Sequence, residues 1–254
     1  MNKNEIEKIK NWIREYVKSA GSKGVILGMS GGKDSLVTAK LCVEALGAEN
    51  VIGVIMPNGE MKDNTIAKHS CDIVGIRYYE ININELYKNV IDNTIPILKK
   101  EDKPLNTVTT FNVPPRLRML TLYSIAGSLN YLVANTSNLS EGMVGYTTKW
   151  GDNVGDFSAL ANFTKEEVCE IGILLGLPRE LVYKTPDDGL SGQSDEDKLG
   201  FSYKELGEYI REGKKGEKFA QISRMHKISQ HKRTGVVKYN SDLKNYFDEE
   251  EKNV

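Results

Sequence analysis

The amino-acid sequence predicts one doubly wound α/β domain, in which a mostly parallel sheet carries helices on both faces. Residues 24–29 (GVILGM) and 51–56 (VIGVIM) form continuous apolar runs, which are typical of strands buried on both sides. Each run is followed by a segment of helical periodicity, and strands recur about every 25 residues, as in a parallel sheet with right-handed crossovers. The length of 254 residues fits a single domain over 1–254.

The first half of the chain alternates regularly between helical and strand patterns. Ile6, Ile9 and Ile13 recur at three- and four-residue spacing, which predicts an amphipathic helix that ends at Gly21. A second helix follows the first apolar run and ends at Gly47. The predicted elements are, in order, a helix over 4–20, a strand over 24–29, a helix up to Gly47, a strand over 51–56, a helix around 65–74 and a strand over 76–84.

The second half of the chain is less regular. Pro114 and Pro115 suit the first turn of a helix that carries Leu120 and Leu122. Residues 135–161 are rich in Gly, Asn and Thr, and we expect them to cross the carboxyl edge of the strands. The remaining expectations are a loop over 99–104, a strand over 131–134, a helix over 165–175, a mobile loop over about 184–199, a helix near 203–210, a charged link over 211–218, a last helix and an acidic tail over about 248–254.

Composition and charge exclude several classes of protein. A hydrophobic fraction of 39% with 27% charged residues is that of a globular chain. The formal charge of −1 argues against nucleic acid as a partner, and no apolar stretch reaches the roughly 18–20 residues of a membrane span. The first ten residues lack the pattern of a signal peptide. Cys42, Cys71 and Cys169 show no paired spacing, which fits a protein of the reducing cytoplasm.

The motif with the clearest chemistry lies between the first predicted strand and the next helix. Two adjacent glycines allow close approach of an anion, and the start of a helix offers free N–H groups and the positive end of its dipole. A carboxylate among these donors makes sense if it binds Mg²⁺ that bridges phosphates. A plain Gly-rich turn is the structural alternative. The predicted phosphate-binding residues are Gly28, Met29, Ser30, Gly31, Gly32, Lys33, Asp34 and Ser35.

This loop differs from the phosphate loop of P-loop NTPases at two positions. Asp34 stands where Ser or Thr is required, and Leu27 stands where the first Gly is required. The SGGxDS pattern instead resembles the pyrophosphate loop of ATP pyrophosphatases, which split ATP between its α- and β-phosphates. That resemblance implies an adenine nucleotide alpha hydrolase-like fold.

Further segments narrow the resemblance to one family. Residues 112–119 (NVPPRLRM) are similar to the NxxARxRM segment of NAD synthetases. Residues 135–141 and 145–152 (NTSNLSE and GYTTKWGD) resemble their GTxNxxE and GYxTKYGD block. The segments GQSDE and QHKR, at 192–196 and 230–233, follow in the order of that family. The resemblance covers about residues 4–239.

The resemblance implies an enzyme that converts deamido-NAD, ATP and ammonia to NAD, AMP and pyrophosphate through an adenylated nicotinate. It implies Mg²⁺ as cofactor and a homodimer with the substrate site near the interface. Asp34 and Glu141 would hold the metal, and Asp152 would orient ammonia or take its proton. Besides the loop, Thr136, Lys165 and Asp187 would bind ATP. Deamido-NAD would contact Arg116, Lys149, Asp156, His231 and Lys232.

Two other functions remain open at the level of sequence. One is a related pyrophosphatase that adenylates a tRNA base or a purine, although the chain lacks a CxxC pair and a basic surface. The other is a nucleotide sensor without catalysis, against which the presence of both Asp34 and Glu141 argues. One departure from the family pattern concerns ATP: Asp187 stands where relatives carry a hydroxyl, and a carboxylate there would repel phosphate unless Mg²⁺ intervenes.

Overall fold

The computed structural model describes residues 1–59, 64–183 and 194–239. At its centre is a five-stranded sheet in the order β3-β2-β1-β4-β5, and every neighbouring pair is parallel. The strand order reverses direction at β1, so the carboxyl ends of β1 and β4 form the crevice where ligands bind in sheets of this type. The strands are β1 (Gly24–Gly28), β2 (Val51–Ile55), β3 (Arg77–Glu80), β4 (Tyr131–Asn135) and β5 (Phe157–Ser158).

Helices cover both faces of the sheet, which confirms the predicted fold class. Successive residues of a strand point to opposite faces, so Val25 and Leu27 pack into one core and Ile26 into the other. The first face carries α1 (Lys3–Ser19), α2 (Lys33–Leu46), α3 (Thr65–Val74) and α7 (Lys165–Leu174). The second face carries α4 (Asn84–Lys100) and α5 (Thr107–Leu129).

A third apolar cluster joins helices of the second half of the chain. Val144, Leu199, Leu206 and Ile222 are its most buried aliphatic members. It packs α6 (Leu139–Val144) against later helices and therefore fixes α6 beside the carboxyl edge of the sheet. The later helices are α8 (Arg179–Val182), α9 (Asp195–Leu199), α10 (Tyr203–Glu212), α11 (Phe219–Ile228) and α12 (Gln230–Arg233).

The structure corrects several details of the sequence prediction. Pro114 and Pro115 lie inside α5 and not in its first turn, because the Asn106 side chain already caps that helix by accepting from Val108 N. Helix α4 and strand β5 have no counterpart among the predicted elements.

The predicted mobile loop over 184–199 also changes. Its last five residues form α9, whose start the Ser194 side chain caps. Residues 184–193 and the acidic tail over 248–254 lie outside the described residues. Among the helices that are described, none is both long and apolar enough to cross a membrane.

Candidate active site

The Gly-rich loop forms the turn from β1 into α2. Gly31 has a φ of +79°, which strains any other residue, and a Cβ built there would lie in tight contact with α3, 3.2 Å from the backbone nitrogen of Ala67. Ser30 Oγ accepts a hydrogen bond from Gly32 N at 3.2 Å, and Ser35 Oγ donates to Gly32 O at 2.9 Å. Among the residues that the structure describes, no side chain caps the start of α2. Its first N–H groups therefore face the crevice without a side-chain acceptor, as an anion site requires.

Lys33 is the buried cation of this loop. Only 8% of the residue is exposed, and within the described ranges its ammonium has no hydrogen bond or ion pair. Burial raises the pKa of Cys169 on α7, and the nearby Lys33 is among the charges that oppose this rise. The Lys33 residue is thus buried near α7, and a buried ammonium without a counterion favours the approach of an anion.

Asp34 and Glu141 are brought together by the start of α6. Asn138 caps α6, accepting from Glu141 N at 3.1 Å, and its amide nitrogen donates to Asp34 Oδ1 at 3.0 Å. Burial raises the pKa of Glu141 well above its usual range, and the Asp34 carboxylate raises it further. Two carboxylates that disfavour each other's charge in this way form a site that a divalent cation would relieve.

The donor set fits Mg²⁺ better than a transition metal. In the part of the chain that the structure describes, no group of three or more His, Cys, Asp or Glu side chains lies together. Mg²⁺ usually takes one or two carboxylates and completes its shell with water and substrate phosphates. Asp34 and Glu141, next to a phosphate loop, match that pattern.

Lys165 is buried, with 5% of the residue exposed, and stands on the other side of Glu141. Its backbone N–H donates to Ser140 Oγ at 3.1 Å, and its Nζ lies 3.1 Å from Asp195 Oδ2 and 3.7 Å from the ring centroid of Tyr203. The Lys165 charge lowers the pKa of Glu141. A phosphate that recruits Lys165 therefore has to compete with an existing ion pair.

The segment after α6 holds Asp152 at the end of β4. Asn135, the last residue of β4, donates from its side chain to Asp152 O at 2.7 Å, and Thr148 N donates to Asp152 Oδ1 at 2.5 Å. Lys232 closes the same segment, because its Nζ donates to Gly145 O at 2.8 Å and to Thr147 O at 2.6 Å. Asp152 is therefore positioned by backbone contacts on several sides.

Asp152 has an electrostatic environment suited to proton transfer. Although the residue is exposed, desolvation inside the crevice raises the pKa of its carboxyl group, while Lys232 and Arg118 lower it. The Asp152 charge in turn raises the pKa of Glu141, which places both groups in one electrostatic unit. A carboxylate with a raised pKa is a better base than a free Asp side chain.

Arg116, Lys149, His231 and Lys232 border the same crevice. Arg116 Nε donates to Lys149 O at 3.1 Å, and Lys149 Nζ lies 5.2 Å from the ring centroid of Trp150. His231 and Lys232 line a cavity of about 270 Å³ together with Val144, Gly145, Met225, Ile228 and Ser229. Lys232 is half-buried, and its ammonium donates to two backbone carbonyls, so it also stabilises the local structure.

Asp156 lies apart from this group, at the start of β5. Its Oδ2 accepts from Val133 N at 2.7 Å, and its Oδ1 accepts from the Tyr123 hydroxyl at 3.3 Å. Tyr16 donates to Asp156 O at 2.7 Å and stacks on Trp12 with ring centroids 5.8 Å apart. Asp156 is thus the centre of a partly exposed aromatic patch, and its carboxylate is already shared with the protein.

Asp34, Glu141, Lys165 and Asp152 thus meet at one edge of the sheet, whereas Asp187 lies outside the described residues. Thr136 follows β4 directly and is half-buried. Sequence reasoning missed Asn138 as the link between the two carboxylates. The signal was present, since Asn138 and Glu141 have the spacing of a capping box.

Comparisons with known proteins match most of the chain. The family model described as NAD synthase matches residues 5–245. An NH(3)-dependent NAD(+) synthetase from Finegoldia magna is 38% identical over 242 residues, covering 94% of this chain and 97% of the relative.

Two solved structures share the fold. An NMN synthetase from Francisella tularensis has a TM-score of 0.84 and 32% identity, covering 94% of this chain and 98% of that one. An NH3-dependent NAD synthetase from Campylobacter jejuni has a TM-score of 0.75 and 27% identity, covering 94% of this chain and 100% of that one.

Proposed function

Because this chain belongs to the NAD synthase family, we propose that it amidates deamido-NAD with ammonia, at the expense of ATP, and releases NAD, AMP and pyrophosphate. This is the last step of NAD synthesis. The observation that carries the proposal is the position of the SGGKDS loop beside the Asp34 and Glu141 carboxylates, at the crevice of a parallel sheet. Loop and carboxylates together suit release of pyrophosphate from ATP.

The phosphate loop binds the pyrophosphate part of ATP. The N–H groups at the start of α2 and the hydroxyls of Ser30 and Ser35 supply donors, and Lys33 supplies a buried positive charge. These groups stabilise the charge that develops as the α–β bond breaks. Lys165 and Thr136 contact ATP from the α7 and β4 sides.

Asp34 and Glu141 hold Mg²⁺, which when bound offsets phosphate charge. Asn138 keeps the two carboxylates together through its hydrogen bonds to Asp34 and to the backbone of Glu141. The role of these side chains would therefore be to hold the metal beside the phosphate loop, where the phosphates of ATP bind.

Asp152 acts in the second step, in which ammonia attacks the adenylated carboxyl group. Ammonia that attacks the adenylated carboxyl must lose a proton, and Asp152 accepts it or holds the ammonia through a hydrogen bond. Arg116, Lys149, His231 and Lys232 bind deamido-NAD around this point, and Asp156 binds it from the separate aromatic patch. For Asp156, the partly exposed rings of Tyr16, Trp12 and Tyr123 supply an apolar surface on which a pyridine or purine ring can stack.

A homodimer formed through α4 and α5 completes the proposal. No residue of α4 is buried, although its apolar side chains recur at helical spacing. The neighbouring α5 carries Arg116, so a second copy on this face lies next to the deamido-NAD site. Exposed apolar patches of this kind mark interaction surfaces. The exposed apolar residues are Leu86, Val90, Ile97, Val108, Phe111 and Leu120.

The cellular setting follows from the cysteines. Cys42, Cys71 and Cys169 are free thiols and buried. They fit a reducing compartment, and we place the reaction in the cytoplasm.

The likeness to the NMN synthetase at 32% identity favours a second candidate, in which the acid substrate is the mononucleotide. The purified protein is incubated with ATP, Mg²⁺ and ammonium, and with either deamido-NAD or nicotinic acid mononucleotide. We expect NAD, AMP and pyrophosphate from the dinucleotide at the higher kcat/KM. A preference for the mononucleotide would establish the second candidate, and ADP as the product would contradict both.

The same assay separates the remaining alternatives. A nucleotide sensor would bind ATP but show no substrate-dependent exchange of pyrophosphate into ATP. A tRNA-modifying relative would form AMP when tRNA, and not a nicotinate nucleotide, is added.

A further inference from the structure

Arg118 is a half-buried cation at the carboxyl edge of the sheet that none of the roles above uses. It lies on α5 one turn before Leu122, which packs in the core against the sheet, so the Arg118 side chain also faces the sheet. Its Nε donates to Met56 O at 2.9 Å, directly after the end of β2. Among the described residues, no hydrogen-bond acceptor or carboxylate contacts Nη1 or Nη2.

The two Nη groups of Arg118 thus have no hydrogen-bond partner among the described residues, although the side chain is half-buried. Burial lowers the pKa of Arg118, and the Asp152 carboxylate opposes that shift. Donors that are withdrawn from water without an acceptor cost free energy, which a ligand acceptor recovers. The natural acceptor for the planar fork of arginine is a carboxylate, a phosphate or a developing oxyanion.

The positions of Arg118 and Asp152 indicate where a substrate group could accept from Arg118. Arg118 is tied to the end of β2, and Asp152 is tied to the end of β4, with β1 between these strands. The two side chains sense each other's charge, yet no nitrogen of Arg118 lies within 4.0 Å of an Asp152 carboxylate oxygen. The free donors of Arg118, fixed at the end of β2, and the Asp152 carboxylate, fixed at the end of β4, therefore flank the phosphate loop, which begins where β1 ends.

We propose that the free Nη groups of Arg118 bind the reacting carboxyl group of the acid substrate, on the side opposite Asp152. The assignment depends on the proposed amidation. It follows from complementarity, because a carbonyl oxygen can accept from Arg118 while a nitrogen bonded to the same carbon donates to Asp152. Donors from Arg118 and an acceptor from Asp152 thus suit the forming amide better than the starting carboxylate, whose second oxygen Asp152 repels.

The chemistry places Arg118 on one oxygen throughout. The other carboxylate oxygen attacks the α-phosphorus of ATP, and the bond to the bridging oxygen of pyrophosphate breaks. Ammonia then attacks the carboxyl carbon, the C=O electron pair moves onto the oxygen held by Arg118, and Asp152 accepts one proton from nitrogen. The C=O bond re-forms as AMP leaves with its oxygen. Arg118 therefore stabilises the negative oxygen of the tetrahedral intermediate.

A purely structural role is the alternative. In that case Arg118 only fastens α5 to β2 through the hydrogen bond to Met56 O. Its loss would lower the thermal stability and would weaken the binding of ATP and of the acid to a similar degree. A direct role in substrate binding predicts instead that kinetic parameters for the acid change and those for ATP do not.

The test compares Arg118→Gln and Arg118→Lys with wild type and with Arg224→Gln, an exposed arginine of α11. We expect Arg118→Gln to lower kcat/KM for deamido-NAD by roughly 10²–10³-fold, the size of losing one oxyanion donor, with KM for ATP almost unchanged. Arg118→Lys keeps one donor for Met56 O and should fold, yet lose at least about tenfold, because an ammonium cannot replace the fork. Pyrophosphate exchange that depends on deamido-NAD should fall in parallel.

Chemical rescue supplies a second readout. In Arg118→Ala, added methylguanidinium should restore part of the turnover, which a lost packing contact would not allow. The inference is overturned if Arg118→Gln or Arg118→Lys keeps kcat/KM for the acid within about threefold of wild type, or if ATP and acid kinetics decline together and methylguanidinium has no effect. A wild-type protein that amidates neither acid would contradict the proposed function itself, whereas normal variants of an active wild type contradict the Arg118 role alone.

Discussion

The amide of Asn138 keeps the Asp34 and Glu141 carboxylates beside each other, and burial together with the Asp34 charge raises the pKa of Glu141. Neutralising either carboxylate while keeping its shape should remove a metal ligand without a cavity. We expect Asp34→Asn and Glu141→Gln each to lower kcat by roughly two to three orders of magnitude and to raise the Mg²⁺ concentration needed for half-maximal rate. Steady-state assays over a Mg²⁺ series measure both effects.

The exposed carboxylates of Asp72 and Glu15 supply matched controls for these substitutions. Asp72→Asn and Glu15→Gln should leave both the rate and the Mg²⁺ dependence unchanged. Wild-type Mg²⁺ dependence in Asp34→Asn or Glu141→Gln would show that the metal binds elsewhere.

The raised pKa of Asp152 leads to a prediction about pH. Desolvation raises this pKa, the backbone N–H of Thr148 lowers it, and the charges of Lys232 and Arg118 lower it further, while Glu141 is the acidic neighbour. With Asp152 as the proposed base, the rate should fall as pH falls through a value above the usual 3.9 or so of Asp. Rates are measured at saturating Mg²⁺ and at a constant concentration of unprotonated ammonia.

Removing the positive charge of Lys232 tests the direction in which this charge shifts the pKa of Asp152. Lys232→Met should move the acid limb of the profile to higher pH, because the Asp152 carboxylate loses a stabilising charge. An unchanged limb in Lys232→Met, or a limb that persists in Asp152→Asn, would show that another group titrates.

Individual side chains were predictable where local spacing encodes their place. The SGGKDS loop sits where a strand turns into a helix, and that turn can be predicted from the apolar run before it. The burial of Lys33 could not be predicted, because it depends on the packing of α7 against α2. The contacts of Asp156 with Val133 and Tyr123 likewise depend on β5, which has only two residues.

At the scale of elements, α6 is a short helix that carries Glu141, one of the two proposed metal ligands. It has six residues and presents Glu141 in its first turn, so its start must be fixed by the capping box of Asn138 and Glu141. Asn138→Ala should lower the stability by about 1 kcal/mol, the usual cost of a lost cap. It should also raise the Mg²⁺ requirement, since Asp34 loses its partner. Thermal denaturation and Mg²⁺ titration of the rate measure the two effects.

The capping box of α10 provides the comparison. Ser202 caps that helix with Glu205 on the exposed side of the third apolar cluster. Ser202→Ala should cost similar stability and leave the Mg²⁺ requirement unchanged. If Asn138→Ala behaves like Ser202→Ala in both measurements, Asn138 is only a cap.

Elements were predictable in proportion to how much of their apolar surface this chain itself buries. Strands β1 and β2 are buried along most of their length and appear in the sequence as apolar runs. Helix α4 was missed because none of its residues is buried and because Pro96 interrupts its pattern. The start of α5 was placed too late, since Pro114 and Pro115 resemble a helix start more strongly than the Asn106 cap does.

For the whole molecule, the order of the strands determines which residues lie on each side of the phosphate loop. The β1–α2 turn lies between β2 and β4, so groups fixed at those two strand ends, Arg118 and Asp152, flank the phosphate loop. Later helices close the crevice from the side of α6. The apolar side chains on this face of α4 and α5 are exposed in the single chain, and the proposed second subunit would cover them.

The proposed dimer gives the last prediction. Phe111 is 65% exposed on α5, the helix that carries Arg116. Phe111→Glu would place a charge in an apolar interface, and it should shift the protein from dimer to monomer in sedimentation velocity at micromolar concentration. Because the proposed partner would lie next to the proposed deamido-NAD site, KM for deamido-NAD should rise by about tenfold or more, while binding of ATP at the loop is retained.

Ile173→Glu is the matched control, since Ile173 is partly exposed on α7, on the opposite face of the sheet. It should remain dimeric with wild-type kinetics. A monomeric wild-type protein would contradict the interface outright. A Phe111→Glu monomer that keeps its affinity for deamido-NAD would place the substrate site within one subunit, because the charge would then have separated the copies without disturbing any contact that the substrate makes.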